Sequence, residues 1–333
     1  MLTTELLSRI FAGFNKKNIL IIGDVMVDAY LWGHVERISP EAPVPIVSVE
    51  KRENRLGGAA NVGLNIRSLG ANAILCSVIG NDVKGNEFLE LLDKQKLSKE
   101  GIIQSNKRIT TTKFRVIGNN TQMLRVDEEI TSELEKEELT MLQEHITNII
   151  ANKTIDAIIF QDYDKGTINE QLISSVVEVA NNQNIPIIVD PKKKNFLHYK
   201  NVTLFKPNLK EIKEGLNIHF DVDKQEEIEK AVSSLQAVLQ TEMVLNTLSE
   251  NGVFIQWATG SEIIPAHYRT IVDVSGAGDT VISVAALCLI MDMEAADMAA
   301  LANLAGGIVC EEVGVVPINK TKLQDEAIRL LAK

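Results

Sequence analysis

Between residues 131 and 256 the chain alternates short, β-branched apolar runs with longer stretches of helical period, and few folds accept that order. Helical patterns cover 131–151, 168–182, 208–215 and 224–239, and strand patterns cover 155–160, 185–189, 202–205, 243–248 and 253–256. Strands separated by whole helices come to lie side by side through crossovers. The expected fold is therefore α/β, a doubly wound and mostly parallel sheet with helices on both faces. Asn18-Ile-Leu-Ile-Ile22 is apolar throughout and reads as a central strand buried on both sides. A further strand is expected at 72–79 and a helix at 85–96. Leu6, Ile10, Phe11 and Phe14 give residues 1–17 a short amphipathic helix. Two Ala- and Gly-rich helices follow at 278–291 and 295–311, and Thr321-Lys-Leu-Gln324 reads as a capping box for a last one.

Two segments break the pattern. Residues 29–56 carry Pro40, Pro43 and Pro45 and alternate at Pro45-Ile-Val-Ser-Val-Glu50, which suits edge strands and turns. Residues 107–127 read as a hairpin, with Gly118-Asn-Asn as its turn. Together they predict a small β-sheet standing off the main sheet, as a lid, a dimer surface or both. No repeat or linker interrupts the chain, so residues 1–333 are expected to form one domain bearing these lid segments. Unpaired edge strands in the lid need covering, which predicts a homodimer through it.

Ligands of open parallel sheets bind at the carboxyl edge of the strands. Several expected strands end there on polar residues: Asp162, Asp190, Asn208 and Asn246. Gly23-Asp-Val-Met-Val-Asp28 follows the first strand, and Asp24 and Asp28 read either as turn and cap residues or as ligand contacts. Gly57-Gly-Ala-Ala-Asn-Val-Gly63 opens a helix, with close helix packing as the alternative to ligand binding. The most informative stretch is Asp273-Val-Ser-Gly-Ala-Gly-Asp-Thr280, which runs into an apolar helix. Glycines before a helix leave its first N–H groups pointing outward, and with the helix dipole these suit phosphate. Asp279 would repel that phosphate unless it takes a proton from the attacking group.

Bulk properties narrow the classes. A net charge of −11 argues against a nucleic-acid or anionic-membrane surface. Cys76, Cys288 and Cys310 form no CxxC pair or disulfide framework, and the five histidines show no metal-ligand spacing. Apolar runs fall short of the roughly 20 residues that span a bilayer, and residues 1–17 lack the order of a signal peptide. A cytoplasmic location is expected.

Gly57-Gly-Ala-Ala-Asn61 and Asp273-Val-Ser-Gly-Ala-Gly-Asp279 resemble the two signatures of the ribokinase-like (PfkB) carbohydrate kinases. Within that family, Gly23-Asp-Val-Met-Val-Asp28, Arg37-Ile-Ser-Pro-Glu-Ala-Pro-Val-Pro45, Asp162-Tyr-Asp-Lys-Gly166, Val189-Asp-Pro-Lys192 and Lys206-Pro-Asn-Leu-Lys-Glu211 are similar to the heptose kinases of the ADP-heptose route to the lipopolysaccharide core. Those enzymes phosphorylate D-glycero-β-D-manno-heptose 7-phosphate at O1. The resemblance runs from about residue 18 to 318 and implies a ribokinase-like fold. It also implies that Asp279 is the catalytic base and that Gly276, Ala277 and Gly278 form an anion hole. Asn208 and Glu211 match the family's NxxE, which holds Mg²⁺ through water beside the ATP phosphates. Thr247, Ser249 and Gly252, from Thr247-Leu-Ser-Glu-Asn-Gly252, would bind nucleotide, with Asn303 beside the adenine. Asp28, Gly57, Gly58 and Asn61 would contact the sugar.

Lys113, Arg115 and Arg125 are candidates for the substrate's own phosphate, or else a solvated face of the hairpin; Arg37 and Lys165 are further candidates. Val274-Ser275 stands where many relatives have two threonines, which leaves nucleotide detail and monovalent-cation use open. Heptose kinases often carry a C-terminal nucleotidyltransferase. This chain ends before one and has no HxGH motif, so the kinase step alone is expected. The competing readings are a fructokinase-like or phosphofructokinase-like enzyme of the same fold, and a catalytically silent nucleotide-binding module. A dinucleotide-dependent dehydrogenase fails because no GxGxxG follows the first strand.

Overall fold

The computed structural model describes residues 2–221 and 224–332. The chain opens with α1 (Thr4–Gly13) and β1 (Asn18–Gly23), then leaves the main sheet through β2 (Val25–Ile38) and β3 (Pro45–Gly58). It returns through α2 (Ala59–Ser68), β4 (Asn72–Gly80), α3 (Val83–Lys94) and β5 (Ser98–Ser105), and departs again for β6 (Thr112–Gly118) and β7 (Thr121–Glu128). Alternation follows in α4 (Lys136–Asn152), β8 (Ala157–Gln161), α5 (Glu170–Asn182), β9 (Ile187–Asp190), β10 (Leu204–Phe205), α6 (Leu209–Gly215), α7 (Gln225–Leu239) and β11 (Met243–Thr247). β12 (Val253–Trp257), β13 (Gly260–Ile264), α8 (Ala277–Leu289), α9 (Ala295–Val309) and α10 (Lys320–Leu330) complete it.

Nine strands form the main sheet in the order β13-β12-β11-β10-β9-β8-β1-β4-β5. All neighbours are parallel except β11–β12 and β12–β13. β1 sits inside the sheet because its side chains alternate between two apolar layers. Ile19 and Ile21 join α1, α2, α8, α9 and α10, while Leu20 and Ile22 join α4, α5 and α7. All four are fully buried, and each such aliphatic side chain contributes roughly 1.5–3 kcal/mol.

The smaller sheet runs β3-β2-β6-β7. Asn119 and Asn120, both at positive φ (51° and 61°), make the tight β6–β7 turn, a conformation asparagine tolerates better than most residues. β2 begins buried beside the main sheet and becomes exposed along its length, so this sheet projects outward as the two irregular segments predict.

Two strands and three element starts differ from the sequence reading. β5 and β13 are edge strands with too few apolar residues in alternation to be recognised. The helix expected from 131 starts at Lys136, where Glu135 and Glu138 form a capping box. β6 begins at Thr112 rather than 108. α10 is capped not by Thr321 but by Asn319, whose side chain accepts from the Lys322 N–H at 2.9 Å. Asparagine is at least as good an N-cap as threonine and stands two residues earlier.

Candidate active site

The carboxyl ends of the parallel strands, the start of α8 and the near end of the smaller sheet converge on Asp279. The loop before α8 turns at Gly276, whose φ of 81° suits glycine. Asp279 therefore falls in the first helical turn, 5 % exposed. Three donors hold its carboxylate. Asn61 Nδ2 donates to Oδ2 at 2.7 Å, while the Tyr163 hydroxyl and Gln161 Nε2 donate to Oδ1 at 2.7 and 3.2 Å. Burial pushes the Asp279 carboxyl up to about 6, the Asn61 and Tyr163 hydrogen bonds hold it down, Asp190 pushes it further up and Lys206 opposes. Lys206 pairs with Asp190 at 3.0 Å, and both are buried. Around the loop, the Ala277 N–H turns back to the Val274 carbonyl at 3.3 Å, whereas the Gly276 and Gly278 N–H groups meet no acceptor among the described residues. Of the three expected anion-hole donors, two are thus open.

On one side of Asp279 lies a cavity of about 520 Å³, lined by Thr247, Ser249, Gly252, Ala277, Gly278 and Asn303 with Gly306, Gly307 and Val281. A volume of this order suits a nucleotide, since ligand pockets run to about 300–1,000 Å³. Glycine lets α9 pack close here, because a Cβ at Gly306 would stand 2.7 Å from Val281 Cγ2. Asn303 donates to the Pro265 carbonyl at 2.9 Å, which fixes the segment bordering the cavity.

Asn208 and Glu211 lie at the start of α6, engaged with each other. The Asn208 side chain accepts from the Glu211 N–H at 2.9 Å, and Glu211 Oε2 accepts from the Asn208 N–H at 2.8 Å. The NxxE spacing is thus also a capping box. Glu211 Oε1 is ion-paired with Lys192.

On the other side is the smaller sheet. Asp28, buried, pairs with Arg115 from the neighbouring strand. Arg115 and Arg55 stack over the Tyr30 ring at 5.3 and 4.9 Å. Gly57 is required by this packing, since a Cβ there would sit 2.3 Å from Asp28 Oδ2. Gly58, at φ 60°, turns β3 into α2 and so delivers Asn61 to Asp279. Lys113 lies on the same strand face as Arg115, with its ammonium 5.6 Å from the Tyr163 ring. Among the described residues no carboxylate pairs with it. Burial pulls its ammonium below the ordinary lysine range, Asp28 opposes and Lys165 adds repulsion. The other candidates are engaged: Arg125, half-exposed, with Asp127, and Lys165 with Glu129. Arg37 is exposed on the outer part of β2.

Asp24 serves the loop after β8. Its carboxylate accepts from the Tyr163, Lys165 and Thr167 N–H groups at 2.9, 3.1 and 3.0 Å. Asp162 faces away from Asp279 and accepts from Asn195 and Tyr199; burial pushes it up to about 6, with Asp24 adding to the rise. Gln161 and Tyr163, on either side of it, face Asp279 instead. Sequence reasoning assigns no role to those two residues or to Lys206, although Tyr163 and Lys206 lie in stretches that resemble the heptose kinases.

A parallel sheet carrying a buried acid at a helix start, between a nucleotide-sized cavity and a cluster of charged side chains on the smaller sheet, is the arrangement of an α/β phosphotransferase. Residues 16–322 match the pfkB family carbohydrate kinase description, and the chain belongs to that family. It is 38 % identical over 300 residues to the "Bifunctional protein HldE" of Helicobacter pylori (strain G27), covering 90 % of this chain and 64 % of that protein. It is 37 % identical over 326 residues to the HldE protein of Desulfatibacillum aliphaticivorans, covering 96 % and 66 %. The chain thus spans about two thirds of the length of these relatives. Among solved structures it resembles phosphofructokinase-2 from Escherichia coli in complex with potassium, with TM-score 0.77 at 17 % identity over 93 % of this chain and 97 % of that one. Ribokinase of Arabidopsis thaliana complexed with ribose and ATP gives 0.71 at 15 % identity over 93 % and 99 %. Among the described residues no helix is long and apolar enough to cross a membrane.

Proposed function

We propose that this sugar kinase transfers the γ-phosphoryl group of ATP to the O1 hydroxyl of D-glycero-β-D-manno-heptose 7-phosphate, with Asp279 as general base. The observation that carries this reading is the position of Asp279, a buried carboxylate beside open helix N–H groups and between the two halves of the site. As the acceptor oxygen bonds to the γ-phosphorus, the bond to the β–γ bridging oxygen breaks and ADP leaves with its electron pair. The hydroxyl proton passes to Asp279. The Gly276 and Gly278 N–H groups face the charge spread over the transferring phosphoryl.

Mg²⁺ would shield the ATP phosphates from repulsion. Asn208 and Glu211 suit it as oxygen donors acting through water. Direct ligation fits less well, since Glu211 is paired with Lys192 and no cluster of three or more metal-binding side chains occurs among the described residues. The potassium complex of phosphofructokinase-2 prompts the reading that a monovalent cation takes part here too.

Lys113 supports a phosphorylated acceptor, being a half-buried cation without a carboxylate partner among the described residues. The choice of heptose rests on the sequence stretches shared with heptose kinases and on the likeness to HldE proteins. The smaller sheet would act as a lid over the sugar and as a dimer surface, presenting exposed Leu124 and Val126 on the face away from Arg125. A panel of heptose 7-phosphate, fructose 6-phosphate, fructose and ribose tests the reading. The expected kcat/KM favours heptose 7-phosphate by about 100-fold or more, as differential pocket contacts allow. Lys113→Met should erase the preference for phosphorylated over free sugars. Faster turnover of fructose 6-phosphate would overturn the heptose assignment.

A further inference from the structure

Asp279 has two carboxylate oxygens, and the protein treats them differently. Each oxygen of an ionised carboxylate has about two lone-pair sites. Oδ1 receives two donors, the Tyr163 hydroxyl and Gln161 Nε2, while Oδ2 receives Asn61 Nδ2. One acceptor site on the carboxylate is left, and it is on Oδ2. We propose that Tyr163 is a positioning residue: with Gln161 it saturates Oδ1, so that Oδ2, beside Asn61, is the atom that takes the proton. This rests on the assignment of Asp279 as base and adds which oxygen acts and what fixes it.

Tyr163 is itself held. The backbone N–H groups of its loop are bound by buried Asp24, and Arg108 donates to the Lys165 and Ser132 carbonyls from outside. The ammonium groups of Lys113, on the smaller sheet, and Lys192, at the main sheet edge, lie 5.6 and 5.8 Å from the centre of its ring. Two cations against one ring favour a fixed orientation. Besides those two lysines, the charged groups acting on the Tyr163–Asp279 pair are Asp190 from β9, Lys206 beyond β10 and Asp28 from β2. Burial, then Asp279, raises the Tyr163 hydroxyl well above its ordinary range, so it stays a donor throughout the working pH.

The acceptor atoms beside the base fit the same picture. Asn61 Oδ1 and Gln161 Oε1 are buried and without a donor among the described residues. Both flank the carboxylate, and a polyhydroxylated acceptor supplies the donors they lack.

The test uses Tyr163→Phe, which keeps the ring beside the two lysines and removes the hydroxyl. Carbon-13 NMR of aspartate-labelled protein without substrate follows the Asp279 carboxyl, assigned by its loss in Asp279→Asn. Losing a donor to the charged form moves its titration upward by about one pH unit. With MgATP and the best acceptor of the sugar panel, kcat at pH 7 should fall about tenfold, about twofold of it from the smaller ionised fraction of Asp279 and the rest from its looser orientation. The acidic limb should move up with the titration, and KM for MgATP should stay constant because Tyr163 does not line the nucleotide cavity. Gln161→Met should move the limb in the same direction. An unmoved Asp279 titration in Tyr163→Phe overturns the proposal, and so does unchanged turnover even if the titration moves. A variant with an unfolded NMR spectrum is set aside for Gln161→Met, read by the same criteria. Full turnover by Asp279→Asn would instead remove the base assignment itself, so the two failures are separable.

Discussion

The two halves of the site are made of different material. The side proposed for the nucleotide is lined mostly by small and apolar residues, Gly252, Gly278, Gly306 and Gly307 among them, with Glu250, His267 and Arg269 as its ionisable side chains and Asn303 pinning the bordering segment. The acceptor side is charged side chains on the smaller sheet, most already partnered, as Asp28 is with Arg115 and Arg125 with Asp127. A cavity lined mostly by small and apolar residues is shaped by local chain geometry and would suit a ligand shared by many kinases. A pocket of paired charges selects, because an acceptor that cannot satisfy the pairs leaves a half-buried ion unpartnered.

If that contrast holds, single substitutions should disturb one substrate and spare the other. Asp28→Asn removes the charge opposite Arg115, and removing one partner of a desolvated pair costs enough to lower kcat/KM for the sugar about 100-fold, with KM for MgATP unchanged. Equal effects on both substrates in steady-state kinetics would break the division. Gly306→Ala should do the reverse by pressing α9 against Val281. Overpacking of about 1 kcal/mol or more predicts a roughly fivefold rise in KM for MgATP, with the sugar KM constant.

The same contrast explains what could be read from the sequence. Asp273–Thr280 is contiguous, so its loop, its helix and the acid between them are legible together. Ile19 to Ile22 announce a central strand because both faces are apolar, whereas β5 and β13 lie at sheet edges and carry little apolar alternation. The acceptor half would be assembled from residues 28, 55, 113 and 115, which sheet register brings together, with Asn61 from α2 and Tyr163 from the loop after β8. Pairing Asp28 with Lys113 and Tyr30 with Arg115 on adjacent strands is a tertiary fact. Tyr163 sits in a loop, where a tyrosine has no periodicity to betray it. Gln161 is found only once β8 is aligned with β1, which puts it opposite Gly23. Asn208 and Glu211 were visible as a pair, but the capping box they form is also what any helix start of that composition would make.

Proton acceptance by Asp279 is the most directly measurable claim. Rapid-quench phosphoryl transfer from MgATP to the best acceptor of the panel can be followed from pH 5 to 9 in the native protein and in Asp279→Asn. With the carboxyl raised to about 6, the native rate should be low under acid conditions, where the base is protonated, climb through pH 6 and level off above it. The variant should be slower by about 1,000-fold on the plateau, within the usual contribution of a general base, and should lack the limb near pH 6. A variant within tenfold of the native rate, or one keeping that limb, would contradict the assignment of Asp279 as the base.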